Sequence, residues 1–338
     1  MHITVFEVEE WERGAFERLE REHRVRFTAE PLNAQTASRY SDTECVSTFI
    51  YSKLDAGVLE MLPQLRLIAT RSTGVDHIDL DFCRQHHIAV SNVPTYGKNT
   101  VAEHAFALLL ALSRRLVDAV DRTRRGDFSF KGLRGFDLRD KTLGVIGTGD
   151  IGQCVIEIAN GFHMRVLAFD VKPRQELREE LAFDYVDLDN LLHSSDIITL
   201  HVPAIPQTRH MIAGDEFKKM KDGAVLINTS RGAVVDIQAL AEALATGKIA
   251  GAGLDVLPQE PVIREEAELL RSVYQKEHEP DLASLLADNV LMRVRNVIVT
   301  PHNAFNTEEA VHRILDTTVE NIAAFAKGEP VNTAGKGE

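Results

Sequence analysis

The 338-residue chain reads as an α/β protein of two Rossmann-like, parallel-sheet domains, and three observations predict this. Short apolar and β-branched runs alternate with amphipathic stretches along the chain, which is the order of repeated βα units. In the second half these runs are continuously apolar, as parallel strands covered on both faces should be. One of them leads into Gly147-Thr-Gly149-Asp150-Ile151-Gly152 and then an amphipathic stretch, the arrangement of a dinucleotide-binding turn. The length exceeds what one ordinary core serves, so two domains are expected.

The first βα series places strands at residues 4–8, 46–50, 67–70 and 89–92, with a helix over 11–22. The opening residues alternate like a strand and lack the charged-then-apolar order of a signal peptide. A long helix is predicted to open at Thr100-Val-Ala-Glu103, where the Thr hydroxyl would cap the amide three residues on and the Glu would return the bond. It should run to Arg125 and stop at Gly126. A second series starts at residues 142–147 and continues through runs ending at Asp170, Leu200, Asn228, Asp255 and Thr300. Six strands separated by helical segments suit a doubly wound sheet.

Charge narrows the partners. With 38 Lys and Arg against 51 Asp and Glu, the net charge of -13 argues against a nucleic-acid-binding face, which needs surplus cations to displace counterions. Arg122, Arg124 and Arg125 read as the solvated end of a helix. The longest apolar stretch, residues 105–112, falls far short of the roughly 20 residues that span a bilayer, so no membrane association and a cytoplasmic place are expected. Cys45, Cys83 and Cys154 are odd in number, widely separated and form no C-x-x-C, so free thiols are expected rather than disulfides or a metal site.

In the glycine motif, small residues allow a tight turn and close backbone approach to a pyrophosphate at the positive end of a helix dipole. The next strand ends in Asp170, 18 residues after Gly152, where a carboxylate can accept bonds from ribose hydroxyls. It would also repel a 2′-phosphate, which favours NAD over NADP, although Lys172 and Arg174 lie close in sequence. The bland alternative is that the glycines serve packing and Asp170 caps a turn.

Three charged residues follow later strands of the same sheet, beyond whose carboxyl edge ligands bind. They are Arg231, Glu260 and His302. Singly, each could be a turn residue, a solvated carboxylate or a packed imidazole. Together they match reduction of a 2-keto acid, which needs a fixed cation for the carboxylate and carbonyl and a proton donor for the oxygen. Arg offers a planar fork. His, whose ordinary pKa is about 6.5, suits proton transfer beside a carboxylate such as Glu260.

The chain resembles the D-isomer-specific 2-hydroxyacid dehydrogenases, most closely the NAD-dependent D-lactate dehydrogenases among them. The resemblance covers nearly the whole length. It rests on Arg71-Ser-Thr-Gly-Val-Asp-His-Ile-Asp79, Asn92-Val-Pro-Thr-Tyr96, Val101-Ala-Glu-His104, the glycine motif, His201-Val-Pro203, Asn228-Thr-Ser-Arg-Gly232, Gly253-Leu-Asp-Val256, Glu260-Pro261 and Thr300-Pro-His-Asn-Ala304. It implies that the doubly wound NAD domain (residues 101–305) is inserted in a flavodoxin-like substrate domain (1–100 and 306–338).

By the same resemblance Arg231 binds substrate, His302 is the acid/base and Glu260 pairs with it. Thr73 and Gly74 would cup the carboxylate, with Tyr96 and Phe305 near the substrate side chain. Thr100 would contact the pyrophosphate, while His201, Val202 and Pro203, together with Thr229 and Ser230, would line the cofactor. Asp255 would hold the carboxamide. His104 and the pair His86-His87 are read as structural. The implied activity is hydride transfer between NAD(H) and C2 of a small D-2-hydroxy or 2-keto acid, lactate and pyruvate first, by a homodimer. Glyoxylate or hydroxypyruvate reduction and 3-phosphoglycerate oxidation stay open, as does an NAD-sensing binding protein like the corepressors that resemble this family. The acidic connection at 262–296 is longer than in many relatives, as in the D-lactate subgroup.

Overall fold

The computed structural model describes residues 1–258 and 290–334. The chain divides into two compact units, Met1–Tyr96 with Asn306–Glu338, and Gly97–Phe305.

The first unit holds β1 (His2–Val5), β2 (Arg24–Phe27), β3 (Cys45–Thr48), β4 (Leu67–Thr70) and β5 (Ala89–Ser91), all parallel in the order β2-β1-β3-β4-β5. That is the flavodoxin-like order. Phe6, Leu32, Val46, Leu54, Leu59 and Ile68 fill its core. The helix Glu308–Ala326 belongs to this unit, capped by the Thr307 hydroxyl on the Ala310 amide at 3.3 Å. Its buried Val311, Ile314, Leu315, Val319 and Ile322 recur at helical spacing. Two local expectations change. β2 was not predicted, because Arg24 and Arg26 make it polar, as an edge strand can afford to be; the Arg26 guanidinium lies over the Tyr40 ring at 5.5 Å. The helix over 11–22 is instead a 3-10 turn, Glu10–Phe16, followed by the short helix Glu17–Glu20, with Gly14 inside the turn.

The second unit holds β6 (Thr142–Ile146), β7 (Arg165–Phe169), β8 (Asp184–Tyr185), β9 (Ile197–Leu200), β10 (Ala224–Asn228), β11 (Ile249–Leu254) and β12 (Val297–Val299). The order is β12-β11-β10-β9-β6-β7-β8, all parallel, so the winding direction reverses between β6 and β9. Such a switch point opens a ligand crevice at the carboxyl ends of the strands. Every residue of β9 and β10 is buried. One strand exceeds the expected six, because β8 is too short to carry a pattern.

The single helix expected from Thr100 to Arg125 is two, Lys98–Ser113 and Leu116–Arg124, with Arg115 between them at φ +48°. The break has a distant cause. A Cβ on Gly135 would lie 2.0 Å from the Ser113 carbonyl oxygen, which accepts from the Phe136 amide at 3.0 Å instead of continuing the helix. The start also differs. Gly97 is the N-cap, Thr100 is buried in the first turn, and Glu103 accepts from Asn99 Nδ2 at 3.2 Å rather than closing a capping box. Gly126, at φ +83°, stands just past the second helix.

Among the described residues no helix is long and apolar enough to cross a membrane. The three cysteines are free, Cys45 and Cys83 buried, and burial pushes the Cys83 thiol up to about 11.

Candidate active site

Gly147 follows β6 with φ +96°, and a Cβ there would lie 2.4 Å from the His201 carbonyl oxygen. Only glycine lets the turn after β6 press against the chain leaving β9. A Cβ on Gly152 would meet the Gly147 carbonyl oxygen at 2.1 Å, so the first turn of the helix Asp150–Gly161 also packs on that turn. Gly149 differs, since nothing stands within 4 Å of its Cβ direction. It is an open approach at the N-terminus of a 12-residue helix, whose first amides have no intrahelical partners and whose dipole attracts anions. Asp150 in that first turn is paired with Lys98 at 2.8 Å.

Asp170, just past β7, accepts from the Thr148 amide at 2.8 Å, the Thr148 hydroxyl at 2.9 Å and the Lys172 amide at 2.9 Å. Burial raises its pKa, but these bonds and the Arg174 charge outweigh it and hold the carboxyl below its ordinary value. Arg174 reaches across to the Thr148 carbonyl at 2.9 Å.

The same close approach brings His201, Val202 and Pro203 beside the glycine turn; the His201 amide donates to the Ile146 carbonyl at 2.8 Å. The His201 ring lies 2.8 Å from the Thr199 hydroxyl, and desolvation lowers its pKa to about 3, so it is neutral. After β10, the Asn228 side chain accepts from the Ser230 amide and hydroxyl at 3.0 and 2.8 Å and donates to the Arg231 carbonyl at 3.1 Å. This ties Thr229, Ser230 and Arg231 into one turn. Thr229 Oγ1 is buried and has no hydrogen-bond partner among the described residues. An open glycine turn on a helix N-terminus, an ionised Asp past the next strand and this orphaned hydroxyl fit a bound dinucleotide.

Arg231 is partly buried, its Nη1 2.8 Å from the Ser230 carbonyl. A Cβ on Gly232 would sit 2.3 Å from the Leu257 carbonyl carbon, so the Arg231 turn lies directly against the chain that runs on toward residue 260. Glu260 itself, like most of the 262–296 connection, lies outside the described residues.

His302 follows Pro301 with φ +52°, an uncommon conformation for a non-glycine residue. Asp255 holds it there. The His302 amide donates to the Asp255 carbonyl at 2.9 Å, and the Asp255 carboxylate accepts from the Asn303 amide at 3.0 Å, the Ala304 amide at 2.9 Å and the Thr300 hydroxyl at 2.5 Å. The Asp255 amide in turn donates to the Asn228 carbonyl at 2.9 Å. One chain of backbone bonds thus links the turns that carry Arg231 and His302.

His104, read from sequence as structural, reaches this cluster, with Nε2 3.0 Å from Thr300 Oγ1 and 3.4 Å from Asp255 Oδ1. Phe305 is partly buried at the end of the same turn.

In the first unit, Thr73 and Gly74 follow β4. The Thr73 hydroxyl donates to the Val93 carbonyl at 2.7 Å, Asn92 Nδ2 donates to the Thr73 carbonyl at 2.8 Å, and the Ser72 hydroxyl donates to the Gly74 carbonyl at 2.6 Å. Tyr96 is partly buried beyond β5, and its carbonyl accepts from Arg313 Nε at 2.6 Å.

Residues 106–304 match the model of the D-isomer specific 2-hydroxyacid dehydrogenase NAD binding domain. The chain is 39% identical over 303 residues to the D-lactate dehydrogenase of Escherichia coli K12, covering 88% of each chain. It is 37% identical over 314 residues to the glyoxylate reductase of Thermococcus litoralis, covering 90% of this chain and 88% of that one. Among solved structures it resembles the D-lactate dehydrogenase of Aquifex aeolicus complexed with NAD and lactic acid, at TM-score 0.84 and 37% identity over 97% of this chain and 96% of that one.

Proposed function

Because the chain belongs to the D-isomer-specific 2-hydroxyacid dehydrogenases, which are NAD-dependent oxidoreductases, we propose that it interconverts pyruvate and D-lactate. The observation that supports this reading is the backbone chain from Asn228 through Asp255 to His302, which ties together the turns carrying Arg231 and His302 after two strands of the sheet that holds the glycine turn.

The nicotinamide, when bound, supplies the hydride for C2 or takes it back. The residues do the rest. The Arg231 fork holds the substrate carboxylate and polarises the C2 carbonyl, placing positive charge where negative charge grows. His302 gives a proton to the C2 oxygen in reduction and removes it in oxidation, with Glu260 as its carboxylate partner. Thr73 and Gly74 supply backbone donors to the carboxylate, while Tyr96 and Phe305 shape the space for the substrate side chain. Thr100, Ile151, Val202, Pro203, Thr229 and Ser230 belong to the cofactor's surroundings. A cytoplasmic homodimer is part of the same proposal. Free, mostly buried thiols support the location, and the exposed Leu116, Val117, Phe128 and Phe130 support the dimer.

The test is NADH oxidation against pyruvate, glyoxylate, hydroxypyruvate and larger aryl keto acids, with chiral analysis of the product. Pyruvate should give the highest kcat/KM and D-lactate the product. A clear preference for glyoxylate or hydroxypyruvate would move the assignment to that reductase, and absence of turnover with every acid would leave a dinucleotide-binding protein. His302→Ala should lower turnover by about 10²- to 10⁴-fold, the usual size of a general acid/base contribution; an unchanged rate would remove His302 from the mechanism.

A further inference from the structure

We propose that His104 is a positioning residue for the acid/base imidazole, acting from the helix Lys98–Ser113 through Thr300 and Asp255 on the turn that carries His302. This rests on the role proposed above for His302. The direction of each bond follows from counting protons. A threonine hydroxyl has one proton to give. Asp255 is fully buried and, despite the opposing effect of burial, is held in its ionised form by His104, Thr300 and the Ala304 amide, so its carboxylate only accepts. The Thr300 hydroxyl, 2.5 Å from Asp255 Oδ1, therefore donates to Asp255. It must then accept from His104 across the 3.0 Å contact, which requires the proton on Nε2.

The result is a relay of donors, His104 to Thr300 to Asp255, with the same carboxylate receiving the amides of Asn303 and Ala304 that flank His302. The relay has a task. His302 is at φ +52°, a left-handed conformation that histidine adopts more readily than most residues, and hydrogen bonds from the surrounding turn act as restraints that fix it there. Asp255 supplies three of those restraints, two through its carboxylate and one through its carbonyl. The carboxylate is itself fixed by Thr300, whose hydroxyl His104 orients. Without His104 the Thr300 hydroxyl loses its donor and Asp255 Oδ1 loses the His104 Nε2 contact at 3.4 Å, so the carboxylate is held less firmly and the imidazole spends less time in its working orientation. Substrate binding, which falls to other residues, should be little affected.

His104→Phe keeps the ring and removes the donor, whereas His104→Gln returns a side-chain N–H at similar reach. Both would be made in the full-length protein and assayed with NADH and the keto acid that the wild type turns over fastest. The Phe variant should lose at least about tenfold in kcat with KM for the acid within about threefold, and the Gln variant should recover to within about threefold of wild type. Thr300→Val, which keeps the shape and deletes the hydroxyl, should also lower kcat with KM little changed, and the two substitutions together should cost less than the sum of their separate losses. If the Phe variant folds poorly, the Gln and Val variants still decide. A Phe variant as fast as wild type, a Gln variant as slow as the Phe variant, or a change in KM alone would overturn the inference. Failure of the wild type to reduce any keto acid would instead overturn the proposed function beneath it.

Discussion

Asp170 carries the proposed choice of cofactor. Burial raises its pKa, yet the amides of Lys172 and Thr148, the Thr148 hydroxyl and the Arg174 charge lower it further than burial raises it. A carboxyl with a lowered pKa keeps its charge above the ordinary carboxylate range and loses it only as pH falls through the lowered value. A 2′-phosphate would face that charge at every pH of a normal assay. The kcat/KM ratio of NADH to NADPH should therefore stay level from about pH 8 to about pH 7, above the second ionisation of the 2′-phosphate at about pH 6. Asp170→Ala should reduce the ratio at least about tenfold, or about 1.4 kcal/mol of discrimination; an unchanged ratio would mean that Arg174 and Lys172 decide the preference. Asp170 could be singled out in the sequence because the reading depends only on the end of a strand and a distance along the chain. The role proposed for His104 could not be, because it depends on a single hydroxyl proton contributed by a residue nearly two hundred positions away.

At the scale of elements, the glycine turn separates two uses of the same residue. Gly152 meets the Gly147 carbonyl where a Cβ would be, and backbone cannot move aside as a flexible side chain can. Gly152→Ala should thus lower stability by about 1–3 kcal/mol, the usual penalty of overpacking, and be seen as a fall in Tm without ligand. Gly149 faces open space, so Gly149→Ala should change the ligand-free protein by no more than about 1 kcal/mol, an N-cap effect, while weakening NADH binding at least about tenfold by filling the approach to the helix amides. Equal effects of the two substitutions on Tm would refute this division. The motif was readable because strand, glycines and helix are consecutive. The break at Arg115 was not, since Gly135 and Phe136 cause it from across a loop, and the Thr100 capping pattern lost to a start at Gly97. β2 and β8 escaped for a different reason, one being a charged edge strand and the other two residues long.

For the whole molecule, two parallel sheets were legible from the rhythm of apolar runs, but the chain path that gives the first unit the helix Glu308–Ala326 was not, because an amphipathic helix reads alike whichever sheet it covers. Surface composition bears on assembly in the same way. Phe128 and Phe130 are 81% and 90% exposed, close in sequence to Leu116 and Val117, which are more than half exposed on the helix Leu116–Arg124. Apolar side chains left in water along one stretch of chain support the proposed association surface. Burying each ring is worth about 1.5–3 kcal/mol, and a twofold axis buries every such ring twice. The protein should therefore scatter light as a dimer at micromolar concentration. Phe128→Ser combined with Phe130→Ser should weaken association at least about 1,000-fold and give monomers under the same conditions, with far-UV circular dichroism unchanged because neither ring belongs to a core. A monomeric wild type, or a double variant that stays dimeric, would place the contact elsewhere or remove it.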